Sequence, residues 1–282
     1  MFESIGRSFA LVKTSWNILM DDKKLLLFPI ISGIVMLFVL LTFILPLILA
    51  GTFMNIPGVG PVFFYGLLFA FYVASYVVGI FFNTALITCV NARFQGRDMA
   101  VGEGLSSAAR HLPSIFLWAL VSATVGVLLH LIQRRAGFIG RFAAALVGGI
   151  WSLVMFFVVP VLILEDKGVV DAVKESVALI RRTWGESIVG SGSIMLIFVF
   201  IGLFGMVCVF ASLLVGNMIV FGSAVVLFII LIVLLAIVAS AMQGIFITAL
   251  YTYARTGIVP SEFNQDQIRN AFIPTQAGPG TI

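Results

Sequence analysis

Very few side chains in these 282 residues are placed for covalent chemistry. The two histidines, His111 and His130, stand alone, and no HExxH, GxSxG or glycine-rich phosphate loop occurs. Glu165 and Asp166 are adjacent carboxylates where an apolar run ends, and their position reads as a solvated boundary. Catalysis needs converging titratable groups held away from bulk water, whereas here such groups fall between apolar runs. The interiors of those runs lack Asp, Glu, Lys and Arg, which speaks against a proton-coupled transporter or pump. His130, at the end of one run, reads as an interfacial anchor. Cys89 and Cys208 both sit inside apolar runs and read as small core residues. The sequence therefore predicts no catalytic residue, no metal and no cofactor.

What remains is neutral polar and cationic chemistry. Thr84, Thr88 and Asn91 are spaced i, i+4 and i+7 with Asn83 beside them, and Ser240, Gln243 and Thr248 share the last apolar run. The two stretches echo each other: TALIT (84–88) is followed by Ala92 and Arg93, and TALYT (248–252) by Ala254 and Arg255. Such side chains either line a polar pathway or hydrogen-bond between helices, and the second use is the commoner. Small residues at four-residue spacing, Ala236, Ser240, Gly244 and Thr248 in one run and Ala144, Gly148 and Ser152 in another, predict close helix contact. Arg134, Arg135 and Arg141 cluster between two runs, where guanidinium groups match phosphate or carboxylate oxygens in pairs. They are candidate contacts to a lipid or an anion; alternatively the two flanking spans do not cross fully, or the cluster is a simple anchor, the plainest of the three readings.

The elements that position these residues follow from hydropathy. The chain is 61% hydrophobic and only 10% charged, against about a quarter charged in soluble domains. It is therefore expected to be an all-α integral membrane protein, because the charge-free runs are too long for barrel strands. Six spans are expected: Leu25 to Ala50, Val62 to Asn91, Pro113 to His130, Phe138 to Leu164, Ser187 to about Val215, and a last span from Gly216-Asn217 to Tyr253. The first is too long for a cleaved secretory signal, whose apolar core spans about 7–15 residues.

Between the spans lies a repeated amphipathic segment. ESIGRSFALVKTSW (3–16) overlays DAVKESVALIRRTW (171–184), and Ile5, Phe9, Val12 and Trp16 match Val173, Val177, Ile180 and Trp184 along one helical face. A weaker copy from Glu103 keeps Leu105, Ala109, Leu112 and Phe116, with Pro113 breaking the helix inside it. Trp16, Trp184, Arg181 and Arg182 are expected at headgroup level as interfacial anchors. The plan is thus three tandem units, about 1–95, 96–166 and 167–258, each an interfacial helix plus a helical hairpin, and a loosely ordered tail over 259–282. Thirteen of the sixteen Lys and Arg fall on the side of the termini, which predicts both termini in the cytoplasm. The net charge of +4 is explained by these lipid-facing anchors and does not call for nucleic acid.

Phe81 to Val127 and Trp151 to Ser187, with the blocks FFNTAL and RRTWGE, resemble a family of prokaryotic six-span membrane proteins known only as a domain of unknown function. The plan of interfacial helix plus hairpin is also similar to the membrane domain of glycerophosphodiester phosphodiesterases, whose catalytic domain has no counterpart here. The resemblance implies a topology in a prokaryotic cytoplasmic membrane and no activity. The expected function is non-enzymatic: a scaffold or accessory subunit contacting membrane lipids, another membrane protein or itself. The competing expectation is a channel or permease for a small solute, plausibly an anion.

Overall fold

The computed structural model describes residues 2–53, 60–135, 138–183, 187–214, 216–260 and 262–263. They form α1 (Phe2–Asp21), a 3-10 turn (Lys23–Leu26), α2 (Leu27–Phe53), α3 (Gly60–Phe94), α4 (Val101–Arg110), α5 (Leu112–Arg135), α6 (Phe138–Leu164), α7 (Val169–Thr183), α8 (Ser187–Leu213) and α9 (Met218–Thr256). Among the described residues there is no strand. Five helices are long and apolar enough to cross a membrane, and Phe198–Leu213 of α8 is a shorter sixth apolar stretch. This is the architecture of a multi-pass membrane protein. The hairpins are α2/α3, α5/α6 and α8/α9. The amphipathic helices α1, α4 and α7 all lie at the same end, the charged end of the bundle.

Local chemistry sets the boundaries. Pro113 sits in the first turn of α5, where a missing N–H costs nothing, so α4 stops at Arg110 and a new helix begins. At the start of α4 the Ala100 N–H donates to the Glu103 carboxylate at 3.0 Å, one arm of a capping box. The Asn217 side chain accepts from the Ile219 N–H at 2.9 Å and caps α9. At the other end of α9, Gly257 adopts φ 70°, the left-handed conformation that ends a helix without Cβ strain.

The amphipathic helices dock in a way the chain order conceals. α4 packs chiefly on α3 and α7 on α6, so each lies on the hairpin that precedes it. α1 packs instead on α8 and α9, the third hairpin. The three units are therefore tandem in sequence but closed into a ring in space. On α1 the stripe residue Val12 is itself buried, but on α4 and α7 the docking face is not the apolar stripe of the repeat. It is the neighbouring row, one residue earlier, of small side chains: Gly104 and Ala108 on α4, Ala172 and Ser176 on α7, all buried. A Cβ on Gly104 would come within 2.5 Å of the Cys89 sulfur and 3.1 Å of the Ala85 carbonyl, so only glycine lets α4 approach α3 this closely. Ser176 donates to the Val154 carbonyl of α6 at 2.6 Å. The large apolar stripe is left half-covered at the rim, where lipid is its natural neighbour.

Burial is concentrated at the charged end. The core gathers Leu25 and Phe28 of the first hairpin's start, Ala85 to Ile87, Cys89 and Val90 of α3, Ile115, Trp118 and Ala119 of α5, Phe157 to Val159 and Val161 to Ile163 of α6, and most of Ala241 to Tyr251 of α9. Toward the far end the hairpins extend as two-helix arms with apolar side chains facing outward, such as Phe38 and Phe204. The chain after α9 turns back to the charged end, where Phe263 is 4% exposed and stacks edge-on against Phe94 with ring centroids 6.2 Å apart. Residues 262 and 263 are thus docked although the sequence placed them in a loosely ordered tail; residues 264–282 lie outside the described residues.

Candidate functional site

The centre of the charged end is the crossing of α3 and α9, where the TALIT and TALYT stretches meet. Gly244 makes the crossing possible, since a Cβ there would lie 2.4 Å from Leu86 Cδ2 and 3.7 Å from Asn83 Oδ1. The threonines mostly bond within their own helices: Thr88 to the Thr84 carbonyl at 2.9 Å, Thr248 to Gly244 at 2.7 Å and Thr252 to Thr248 at 2.8 Å. Hydroxyls used in this way supply little bonding between helices and little hydration to a passing solute. Thr84 Oγ1 and the Trp118 indole N–H are among five buried side-chain atoms with no hydrogen-bond partner among the described residues, the others being Ser15 Oγ, Ser75 Oγ and Arg93 Nε.

The polar residues singled out by spacing do not form one continuous stripe. Thr84 and Thr248 are buried, Asn83, Thr88 and Asn91 are half-buried on α3, and Gln243 is exposed on the other side of α9. The small set on α9 divides likewise: Gly244 and Thr248 are packed, whereas Ala236 and Ser240 are exposed. On α6, Gly148 faces Leu129 Cδ1 at 3.8 Å, and Ser152 is exposed and bonds back to Gly148. Trp16 is 43% exposed on α1, as an interfacial ring would be. Trp184 lies outside the described residues. So do the side chains of Arg134, Arg135, Arg141, Arg181 and Arg182, whose backbone is helical.

Two ion-pair clusters ring the crossing, each built on an arginine at the end of a hairpin's second helix. In the first, Arg93 lies 3.7 Å from Asp22, 3.8 Å from Asp21 and 3.8 Å from Glu262, and Lys24 pairs with Asp22 and Asp98. In the second, Tyr251 donates to Glu165 at 2.7 Å, and Arg255 bridges Glu165 at 3.3 Å and Glu175 at 3.2 Å. Lys167 spans the same two carboxylates at 2.7 and 3.2 Å. This corrects the reading of Glu165 as a solvated boundary, for its side chain is only 11% exposed. Burial pushes the Glu165 carboxyl upward, but the hydrogen bonds from Lys167 and Tyr251 and the charge of Arg255 outweigh it and hold the group below the usual carboxylate range. The bond to Glu165 correspondingly raises Lys167. Its neighbour Asp166 adopts φ 49° and faces His111 Nε2 at 3.5 Å.

The second cluster joins α6, α7 and α9 with two acids and two bases, so each charge is matched. Its key residue carried one signal in the sequence: Tyr251 is the single place where TALYT departs from TALIT, and Ile87 stands at the equivalent position of α3. Among the described residues no group of three His, Cys, Asp or Glu side chains is placed to hold a metal. The arrangement clasps helix ends together; it presents no nucleophile paired with a base.

Residues 62–261, from α3 to the docked turn after α9, match a family described as a family of unknown function (DUF6159). The match leaves α1 and α2 outside it. No curated protein matches the chain.

Proposed function

We propose, from the premise that the chain belongs to DUF6159, a family of unknown function, that it is a non-enzymatic scaffold or accessory subunit of a prokaryotic cytoplasmic membrane, with both termini inside. The observation that carries the reading is the filling of the place where the three hairpins converge. Trp118, Phe28, Phe157, Phe246, Leu86 and Met242 are all at most 2% exposed there. A permeating ion needs polar groups to replace its hydration shell, and among these side chains the Trp118 indole N–H is the single polar group. The arms, by contrast, present long outward apolar faces suited to lipid or to the spans of a partner.

A pathway reading has one observation in its favour, the unpartnered Thr84 hydroxyl and Trp118 N–H inside the converged region. Flux separates the two. Purified full-length protein in liposomes is expected to pass anions and cations no faster than protein-free liposomes. Solute-selective flux that disappears in an Asn83→Leu/Thr88→Val variant, with melting within a few degrees of the parent, would overturn the scaffold reading.

A further inference from the structure

The docking of α1 on the last hairpin leaves an apolar groove of about 520 Å³ between them. Val12 and Trp16 of α1, Phe198 and Ile201 of α8, and Leu234 and Val238 of α9 form its walls. It starts beside Met242 in the packed core and follows α9 outward to Leu234, eight residues or about 12 Å of helix. The one charged residue in its lining is Lys13. The ion pairs among the described residues involve Lys24, Arg93, His111, Lys167, Lys174 and Arg255 and leave Lys13 out.

We propose that this groove holds one phospholipid of the surrounding bilayer, with an acyl chain between α1, α8 and α9 and an anionic head group on Lys13. Three features select that occupant. Two of the three walls are faces of the long apolar helices α8 and α9, so the groove opens into the hydrocarbon layer, and an apolar cleft of this kind does not stay wet. An inserted extended peptide would bring backbone N–H and C=O groups to a depth where nothing in the lining can bond them, whereas an acyl chain brings none. The single ammonium lies next to the half-exposed Trp16, at the level where headgroup phosphates and indoles meet. The volume falls within the roughly 300–1,000 Å³ of small-ligand sites. The lipid would then be the third party in the contact that closes the ring, filling the seam beside the buried Ile18 and Leu19 of α1.

The inference is independent of the scaffold reading, since a channel would hold such a lipid equally well. Native mass spectrometry of the full-length protein, released from nanodiscs containing equal phosphatidylglycerol and phosphatidylcholine, is the test. One phosphatidylglycerol should remain bound, favoured over phosphatidylcholine about fivefold, the factor contributed by one basic residue near an anionic surface. Lys13→Gln should remove the preference and keep an adduct. Leu234→Trp, at an exposed position where the bulk is tolerated in the fold, should lose both adducts. Equal retention of the two lipids by the parent, an unchanged preference in Lys13→Gln, or a full adduct in Leu234→Trp would each overturn the proposal.

Discussion

α9 passes through two different surroundings without changing its character as an apolar helix. From Ala241 to Tyr251 ten of its eleven residues are buried, with Gln243 the exception; from Met218 to Ser240 it is exposed over most of its surface, with Ile219 81% and Leu227 66% exposed. The packed half is the less apolar of the two, with Gln243, Thr248 and Tyr251, and it differs in side-chain size as well. The packed half carries Ala241, Gly244, Thr248 and Ala249 among its large residues, whereas the outer half is dominated by Leu, Ile and Val. In lipid there is no hydrophobic gain from bringing two apolar helices together, so association depends on close van der Waals fit and hydrogen bonds. The charged end has both, whereas the arms have chiefly fit, as where Gly205 of α8 lies against Phe228 and Leu231 of α9 and Gly126 of α5 faces Tyr76 of α3. Stability should therefore reside in the charged end.

Matched substitutions in the two regions test that contrast. Phe246→Ala empties a site that is 1% exposed and should cost about 3–5 kcal/mol. Phe204→Ala in the arm, 72% exposed, should stay within about 0.5 kcal/mol; chemical unfolding in bicelles reads both, and equal losses would erase the distinction. Next in size, Tyr251→Phe removes one bond to a charged carboxylate, worth about 1.5–3 kcal/mol. It should also alter the acid limb of stability. Glu165 is held below its unfolded value, so its contribution is present above the ordinary carboxylate range and is lost as pH falls through the depressed value. Without the tyrosine bond that loss should begin at higher pH, and an unshifted acid limb would mean that Tyr251 does not act on Glu165.

Glycine to leucine gives a further pair. At Gly104 the new side chain meets Cys89, the Ala85 carbonyl and Phe28, an overpacking cost of about 1–3 kcal/mol. At Gly33 nothing lies within 4 Å, and helix propensity should make the change neutral or stabilising by up to about 1 kcal/mol. The smallest effect is expected for Thr88→Val, about 0.6 kcal/mol, because its hydroxyl bonds its own helix. A loss several times larger would show that the hydroxyl holds more than its own turn.

Hydropathy made the spans legible: α6 has the expected limits, Phe138 and Leu164, and the turn at Gly216-Asn217 falls between α8 and α9. The amphipathic segments fall on α1, α4 and α7, but the large apolar residues of their pattern drew attention from the small row beside them. Gly104 and Ala172, then Ala108 and Ser176, occupy matching repeat positions, and close approach rather than hydropathy fixes the docking face. The partner of α1 could not be read, because a one-dimensional pattern ranks surroundings as apolar or polar and does not say which apolar surface is the neighbour. Glu165 was misjudged for a related reason. A carboxylate at a span's end is solvated unless bases converge on it, and Arg255 lies ninety residues away in sequence.

The ring closed by α1 imposes an order on biogenesis. α1 precedes α8 and α9 in synthesis, and the hairpin it rests on is completed some 235 residues after Asp21, at Thr256, about 12–47 s at cellular translation rates of roughly 5–20 residues per second. During that interval the helix has to wait on the membrane surface with its docking face unclaimed. A chain halted before α8 carries an N-terminal segment that nothing covers, so the same contact that finishes the fold also distinguishes complete chains from truncated ones.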